Sequence, residues 1–294
     1  MTTISTPAPG RAAGRTRPRR VPRWLRGRLS VQLSLLFLAV LVVLAVLGPS
    51  RTPGDATTQS LVDVLVGPGN GHLLGTDDLG RDVFARTLAG VRSAVIGPAL
   101  IALLSWLIGS VLGLFAAYRG GRVDALLMRW VDFMWALPAV LVIIVVIGVF
   151  GGGYTIAVGV LVVLTCPFDT RLIRGAALTQ RNLPYVEAAR AIGVSDAKIM
   201  FGHIWPNVLG VGLANAFLNF GYSLLALSGL AYLGLGSPPG AADWGVMLSQ
   251  SGTGLYQNVW VALAPAAMIV LACLSVNVVG DWIQERHADG GTER

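Results

Sequence analysis

The sequence predicts an all-α polytopic membrane protein with six transmembrane helices, on three observations. Of its 294 residues only 13% are charged and 54% are apolar, with a mean hydropathy of +0.68. A soluble protein of this size could not cover its surface with so few charges, and so much apolar surface excludes disorder. Uncharged stretches recur that match or exceed the roughly 20 residues needed to cross about 30 Å of hydrocarbon. Basic residues, finally, crowd into alternate connecting segments, the asymmetry that orients membrane helices.

The chain opens with eight arginines (Arg11, Arg15, Arg17, Arg19, Arg20, Arg23, Arg26 and Arg28) and no acid among its first thirty residues. The remainder is close to neutral, so the net charge of +7 belongs to a basic arm, residues 1–28, and is not a nucleic-acid footprint. Such an arm stays cytoplasmic and meets anionic membrane lipid. Residues 29–50 follow as a first transmembrane anchor, read as uncleaved because no small-x-small site precedes Pro49.

Residues 51–92 form an extracytoplasmic loop with an amphipathic helix. Asp78 is placed to cap that helix, Phe84, Leu88 and Val91 recur at four- and three-residue steps, and its arginines are expected to face water or headgroups. The acids Asp77, Asp78 and Asp82 lack the alternating spacing and closing Glu of a calcium loop.

Residues 93–118 make the second span. The uncharged run 133–168 is interrupted by Gly151-Gly152-Gly153, which favours a tight turn between short spans at 133–150 and 154–168. The uncharged run 204–242 is too long for one helix. Pro238 and Pro239 cannot continue it, which leaves a span near 207–233 and then a loop. The last span covers about 259–279, so five spans lie in a core at 93–283, followed by a tail at 284–294. With the N-terminus inside, the segments facing the cytoplasm hold 18 basic residues against four outside. Both termini are therefore expected in the cytoplasm.

Several chemistries are excluded. Twenty-one of the basic residues are Arg and one is Lys198, which sits in no G-x-x-x-x-G-K-[ST] setting, so the chain has no P-loop of its own. Cys166 and Cys273 lie in apolar runs, and His72, His203 and His287 are scattered. Neither a disulfide frame nor a metal site is expected, and no catalytic residue or cofactor site is nominated. The spans are read as free of charge near their centres, which disfavours an ion-coupled carrier. Their polar residues are Asn215, Asn219 and Asn277, the first two sharing a helix face. Interhelical hydrogen bonding and the lining of an aqueous pathway both remain open for these amides.

The loop at 169–206 is the most informative stretch. Asn182 can cap a helix that tolerates Pro184 in its first turn and favours Glu187 near its positive end. Ala188, Ala189 and Ala191 are small helix formers, and Gly193 can stop the helix by adopting positive φ. Ser195 can cap a second helix containing Asp196, and Pro206 marks the next span. The product is a helix–Gly–helix elbow, which by local chemistry is equally a capped connector and a docking element.

Glu187-Ala188-Ala189, then Gly193, then Ile204-x-Pro206 resembles the EAA loop of permease subunits in ATP-binding-cassette importers. Two further segments are similar to the peptide/nickel branch of that family. They are Leu74-Gly-Thr-Asp-Asp-Leu-Gly-Arg-Asp-Val-Phe-Ala-Arg86 and Leu233-Gly-Leu-Gly-Ser-Pro-Pro239 with Asp243-Trp-Gly-Val-Met-Leu248. Trp205 departs from the usual Leu of the branch. The resemblance covers about 70–285 and points to the C-type subunit of dipeptide/oligopeptide permeases. It implies the type I importer fold, a transport subunit without an ATPase site, and a place in the cytoplasmic (inner) membrane of a bacterial cell. Its implied partners are a second homologous permease subunit, two cytoplasmic ATPase domains that hold ATP and Mg, and an extracytoplasmic substrate-binding protein. Within it, Glu187, Ala188, Ala189, Gly193, Ile204 and Pro206 are the residues of the ATPase-coupling loop at 183–206. The same machine importing nickel or another small solute, and a carrier or scaffold with a coincidental loop, are the alternatives.

Overall fold

The computed structural model describes residues 28–48, 56–69 and 71–290, with side chains over 29–48, 56–69 and 71–286. The arginine arm, Arg51, the His287 side chain and the last four residues lie outside the described residues. In chain order the helices are α1 (Arg28–Leu47), α2 (Val83–Ala89), α3 (Val91–Arg119), α4 (Gly121–Ala136), α5 (Ala139–Phe150), α6 (Tyr154–Arg181), α7 (Pro184–Ala191), α8 (Asp196–Lys198), a π-helical stretch (Ile199–Ile204), α9 (Trp205–Tyr232), α10 (Trp244–Gln250) and α11 (Trp260–Gly290).

Five helical runs are long and apolar enough to cross a membrane, and the bent pair α4–α5 is the sixth when taken as one span. Polarity is inverted relative to a soluble protein. Leu36, Val43, Val145, Leu225 and Val270 face outward, whereas Ser105, Thr165, Thr170, Asn215, Asn219 and Ser223 are buried. Water would penalise that outer surface by about 25 cal/mol per Å², whereas lipid does not.

Three apolar clusters hold the bundle, two side by side toward one end and one at the other. At one end Leu41, Val91, Leu224, Trp244, Val261 and Ala272 join α1, α3, α9, α10 and α11. Beside it Ile101, Ile143, Leu161 and Leu227 join α3, α5, α6 and α9. At the other end Leu114, Ile173, Val186, Ile199 and Val208 join α3, α6, α7, the π stretch and α9. The closest helix pair is α3 and α6. A Cβ on Gly109 would come within 2.5 Å of Asp169 Cβ, and one on Gly113 within 2.5 Å of the Thr170 carbonyl oxygen. Only glycine at this four-residue spacing lets the two backbones approach so closely.

Several boundaries differ from expectation for physical reasons. The third span is not one helix over 133–150. It starts at Gly121 and breaks by 86° between α4 and α5, because Pro138 holds the preceding Leu137 extended at φ −83°, ψ 129°. The fourth span does not stop at 168: α6 continues to Arg181. The charged residues that ended the apolar run find partners on neighbouring helices. Arg174 pairs with Asp124 of α4, Arg181 Nη1 donates to the Ala117 carbonyl at 2.8 Å, and Asp169 is buried. The reading of spans free of central charge is thereby corrected. The last helix likewise runs past Asp281.

Residues 56–82 and 237–258 fold over one end of the bundle as a cap. Arg92 is exposed as expected, whereas two of the arginines expected to face water do not, Arg81 being 3% and Arg86 1% exposed. Asp77 draws them inward, pairing with Arg81 at 2.7 Å and with Arg86 at 3.4 Å. Helix α2 begins later than expected, with Asp82 as its N-cap accepting from Ala85 N at 2.7 Å. Asp78 has no such role, because Asp77 Oδ1 closes a turn over Leu79 N and Arg81 N first. The buried face of α2 is Val83, Ala85, Arg86 and Thr87; of the expected stripe Phe84 is exposed, Leu88 is half-buried, and Val91, which begins α3, is buried.

Candidate functional site

The elbow is built from the end of α6, helix α7 and the start of the α8–π–α9 run. Helix α7 begins with Pro184, where a missing N–H costs no hydrogen bond. Its N-cap is Leu183, with no side-chain cap. Asn182 instead closes α6, so the expected Asn182 cap is corrected. Ser195 occupies the N-cap position of α8, also without a side-chain bond. Glu187 lies in the first turn of α7, where the partial positive charge of the helix start favours a carboxylate.

The far end of α7 is closed by the glycine. Val194 N donates to the Ala189 carbonyl and Gly193 N to the Arg190 carbonyl, both at 3.0 Å, with Gly193 at φ +78°. Those paired bonds are a Schellman motif, which needs a residue in the left-handed region.

One face of α7 is anchored and the other is free. Val186 and Ala189 are buried against Leu114, Ile173, Ile199 and Ile204. Around this core Tyr118 Oη donates to Asp196 Oδ1 at 2.6 Å, and Arg190 lies over the Tyr118 ring at 5.0 Å. Tyr185 Oη donates to Gln180 Oε1 at 2.9 Å, and Asn207 Nδ2 donates to the His203 carbonyl at 2.7 Å. The elbow is therefore held on both flanks and presents a defined outer strip.

The six residues of the predicted loop divide accordingly. Glu187, Ala188, Gly193 and Pro206 are exposed, whereas Ala189 and Ile204 belong to the chain's own core. The sequence reading gave Ala188 and Ala189 one role, and the structure separates them. It also missed Ile192, an apolar side chain 80% exposed at the tip of the elbow. The signal was available: Val186 and Ala189 are three apart and share one helix face, which leaves 187, 188, 191 and 192 outward.

The amides form a second constellation. Asn215 Nδ2 donates to Asp169 Oδ1 at 2.7 Å. Asn219 Nδ2 donates to both carboxyl oxygens, at 3.0 and 3.1 Å. Both amides are buried, as is Asp169, so within this chain they bond between helices. Asn277 lies apart from them, exposed on α11, its side chain toward Gly221 of α9.

The cap joins the two remaining signature segments. Arg86 donates to the carbonyls of Gly240 at 3.3 Å and Ala241 at 3.1 Å. Trp244 Nε1 donates to the Thr87 carbonyl at 2.9 Å. Asn258 Nδ2 meets the carbonyls of Leu74 and Thr76 at 3.0 and 3.1 Å. Residues nearly 200 positions apart thus share one polar lattice, distant from the elbow by the length of the bundle.

Comparison with known proteins follows this geometry. Residues 109–289 match the family described as binding-protein-dependent transport system inner membrane component. The glutathione transport system permease protein GsiD of Pectobacterium atrosepticum is 33% identical over 264 residues, 90% of this chain and 87% of that protein. The oligopeptide transport system permease protein OppC of Bacillus subtilis is 32% identical over 260 residues, 88% of this chain and 85% of that one. Among solved structures, a chain of the MetNI methionine ABC transporter in inward-facing conformations superposes with a TM-score of 0.53. It is 20% identical and covers 69% of this chain and 96% of its own length, a likeness of fold.

Proposed function

This chain belongs to the binding-protein-dependent transport system inner membrane components, multi-pass membrane subunits of ATP-binding-cassette importers, and on that premise we propose that it forms half of a di- or oligopeptide pathway coupled to ATPase subunits through the elbow. Importers of this family work with ATPase and binding-protein partners. The finer assembly we assign is a second homologous permease subunit, two ATPase domains on separate chains that hold ATP and Mg, and an extracytoplasmic binding protein. The chain itself supplies no ATPase site. The peptide cargo is supported by the relatives' own names, for glutathione and oligopeptides.

The observation that carries the coupling role is the elbow's one-sided anchorage. Val186 and Ala189 fasten it to α3, α6 and α9, and Glu187, Ala188 and Ile192 are left outward. A cleft that grips this strip moves three membrane helices with it. Arg119, Arg122, Arg181, Arg190 and Lys198 cluster at the same end, which supports reading that end, and with it both termini, as cytoplasmic. The cap then lies outside, where the binding protein arrives. ATP acts through its different affinity for the inward- and outward-facing states of the assembly.

A further observation concerns the flank of α4 and α6. Asp132 and Arg171 form an ion pair that leaves them 64% and 41% exposed, beside Trp135 stacked on Phe168 at 6.0 Å. A charge turned toward lipid costs about 2.5–3.5 kcal/mol, so we assign this flank to water or to the second permease subunit.

Reconstituted with its partners in proteoliposomes, the importer is expected to take up peptide in a vanadate-sensitive, uncoupler-resistant manner. The reverse pattern would establish an ion-coupled carrier. Gly193→Pro removes the N–H that bonds Arg190 and forbids positive φ, and Glu187→Lys puts a cation at the positive helix end. Both variants should insert normally and lose about tenfold in uptake, near the upper range for changes in coupling elements. Uptake at the wild-type rate by both would refute the docking role.

A further inference from the structure

Among the described residues Asp169 is unlike every other acid. It lies inside a membrane-crossing helix, 1% exposed, and its polar contacts are amides and a hydroxyl rather than a cation. Arg171 and Arg174, its neighbours on α6, are engaged by Asp132 and Asp124 of α4. Its oxygens accept from Asn215 and Asn219 of α9, with Ser105 of α3 on the same carboxyl. Gly109 closes the site from α3, with no room for a side chain.

The position of this cluster is as informative as its chemistry. Helices α6 and α9 are the two that enter and leave the elbow. Asp169 lies about 18 Å up α6 from the last residue before the elbow, at 1.5 Å per residue. Between the two levels the helices are joined by apolar contact through Ile173, Ala177, Ile204 and Val208. Apolar contact is non-directional and tolerates sliding. A carboxyl held by two amides does not: a shift of one residue along either helix would strand polar groups where water cannot replace the lost bonds.

We propose that Asp169, Asn215 and Asn219 form a polar tie that holds α6 and α9 in one register, so that the elbow and both helices move as a single lever. Asp169 is then a positioning residue for transport, acting on the pathway through the helices it joins. The inference rests on the coupling role proposed for the elbow. It explains why an acid is retained where insertion into lipid is unfavourable. Displacement at the elbow reaches the membrane interior as a tilt of both helices together, instead of being dissipated by slippage between them.

The test uses the complete importer in proteoliposomes, with wild type, Asp169→Leu and the exchange Asp169→Asn/Asn219→Asp, which returns an acid–amide pair across the same two helices. Asp169→Leu is expected to keep hydrolysing ATP while peptide taken up per ATP falls about tenfold, and the exchange should recover most of the loss. In parallel, spin labels at Thr179 and Val211, in a background with Cys166 and Cys273 replaced, read the spacing of α6 and α9 whatever the cargo is. In wild type that distance should stay narrow and unchanged on trapping with ATP and vanadate, and in Asp169→Leu it should broaden.

Wild-type efficiency in Asp169→Leu, an exchange no better than Asp169→Leu, or a wild-type distance that shifts on trapping would each overturn the tie. A wild-type complex without ATP-driven peptide uptake would instead sink the proposed function, and the spin-label distances would still judge the tie.

Discussion

Gly113→Leu is expected to yield a permease that does not assemble. A Cβ at this position would sit 2.5 Å from the Thr170 carbonyl oxygen and 2.9 Å from Arg174 N. Both are backbone atoms of α6, so no side chain can rotate away. Leucine therefore forces α3 off α6. In lipid the separated surfaces gain nothing, because acyl chains are as apolar as leucine and helix association depends on close packing. Overpacking a tight interface ordinarily costs about 1–3 kcal/mol, and a blocked backbone on both sides of the contact places this variant at the upper end. The movement would also pull Asp169 away from the amides of α9. Gly159→Leu is the control, since nothing lies within 4 Å of a Cβ there. Thermal unfolding and size-exclusion profiles in detergent should separate the two, with Gly159→Leu close to wild type. Equal stability of Gly113→Leu and wild type would show that α3 and α6 are not packed as described.

Arg86→Met should open the cap. Its guanidinium, 1% exposed, serves the carbonyls of Gly240 and Ala241 and faces Asp77 at 3.4 Å. Methionine keeps most of the bulk and none of the donors, leaving Asp77 with Arg81 alone, the Gly240 carbonyl with only the bond from Arg81 and the Ala241 carbonyl with only that from Asp243 N. Breaking a buried ion pair costs about 3–5 kcal/mol when the remaining charge is left without a partner, and because Asp77 keeps Arg81 at 2.7 Å the loss here falls below that range. Arg86→Lys should not rescue the loss, since an ammonium cannot span the separated acceptors that a planar fork reaches. Limited proteolysis within 56–82 and 237–258 is the readout, with both variants cut faster than wild type. Protection equal to wild type would mean that the two segments are fastened by something other than Arg86.

Helix number was legible because each span leaves an uncharged stretch of sufficient length. The proline break at Leu137-Pro138 was equally visible, but the uncharged count passed over it. Charge misled most where it was buried in pairs. Arg81, Arg86 and Asp169 read as surface groups because sequence displays an ionisable side chain and not the partner that neutralises or bonds it. Arg86 finds its acceptors more than 150 residues away in Gly240 and Ala241, a pairing without local periodicity. The elbow was readable as a motif, since Pro184, Glu187 and Gly193 act through their own backbone. Its division into an anchored and a free face depended on the helix phase of Val186 and Ala189. Gly109-x-x-x-Gly113 was written openly in the chain, and only the closeness of α6 gave it meaning.

The π-helical stretch at Ile199–Ile204 places one more residue per turn between the elbow and α9 than an α-helix would, as the bond from Trp205 N to the Met200 carbonyl shows. That surplus sets the azimuth of everything downstream. Were the same residues wound at 3.6 per turn with none removed, the extra residue would no longer be absorbed, and α9 would swing by about 100° and aim Asn215 and Asn219 at a different neighbour. Six residues of irregular winding thus act as the shim that times one end of the molecule against the other.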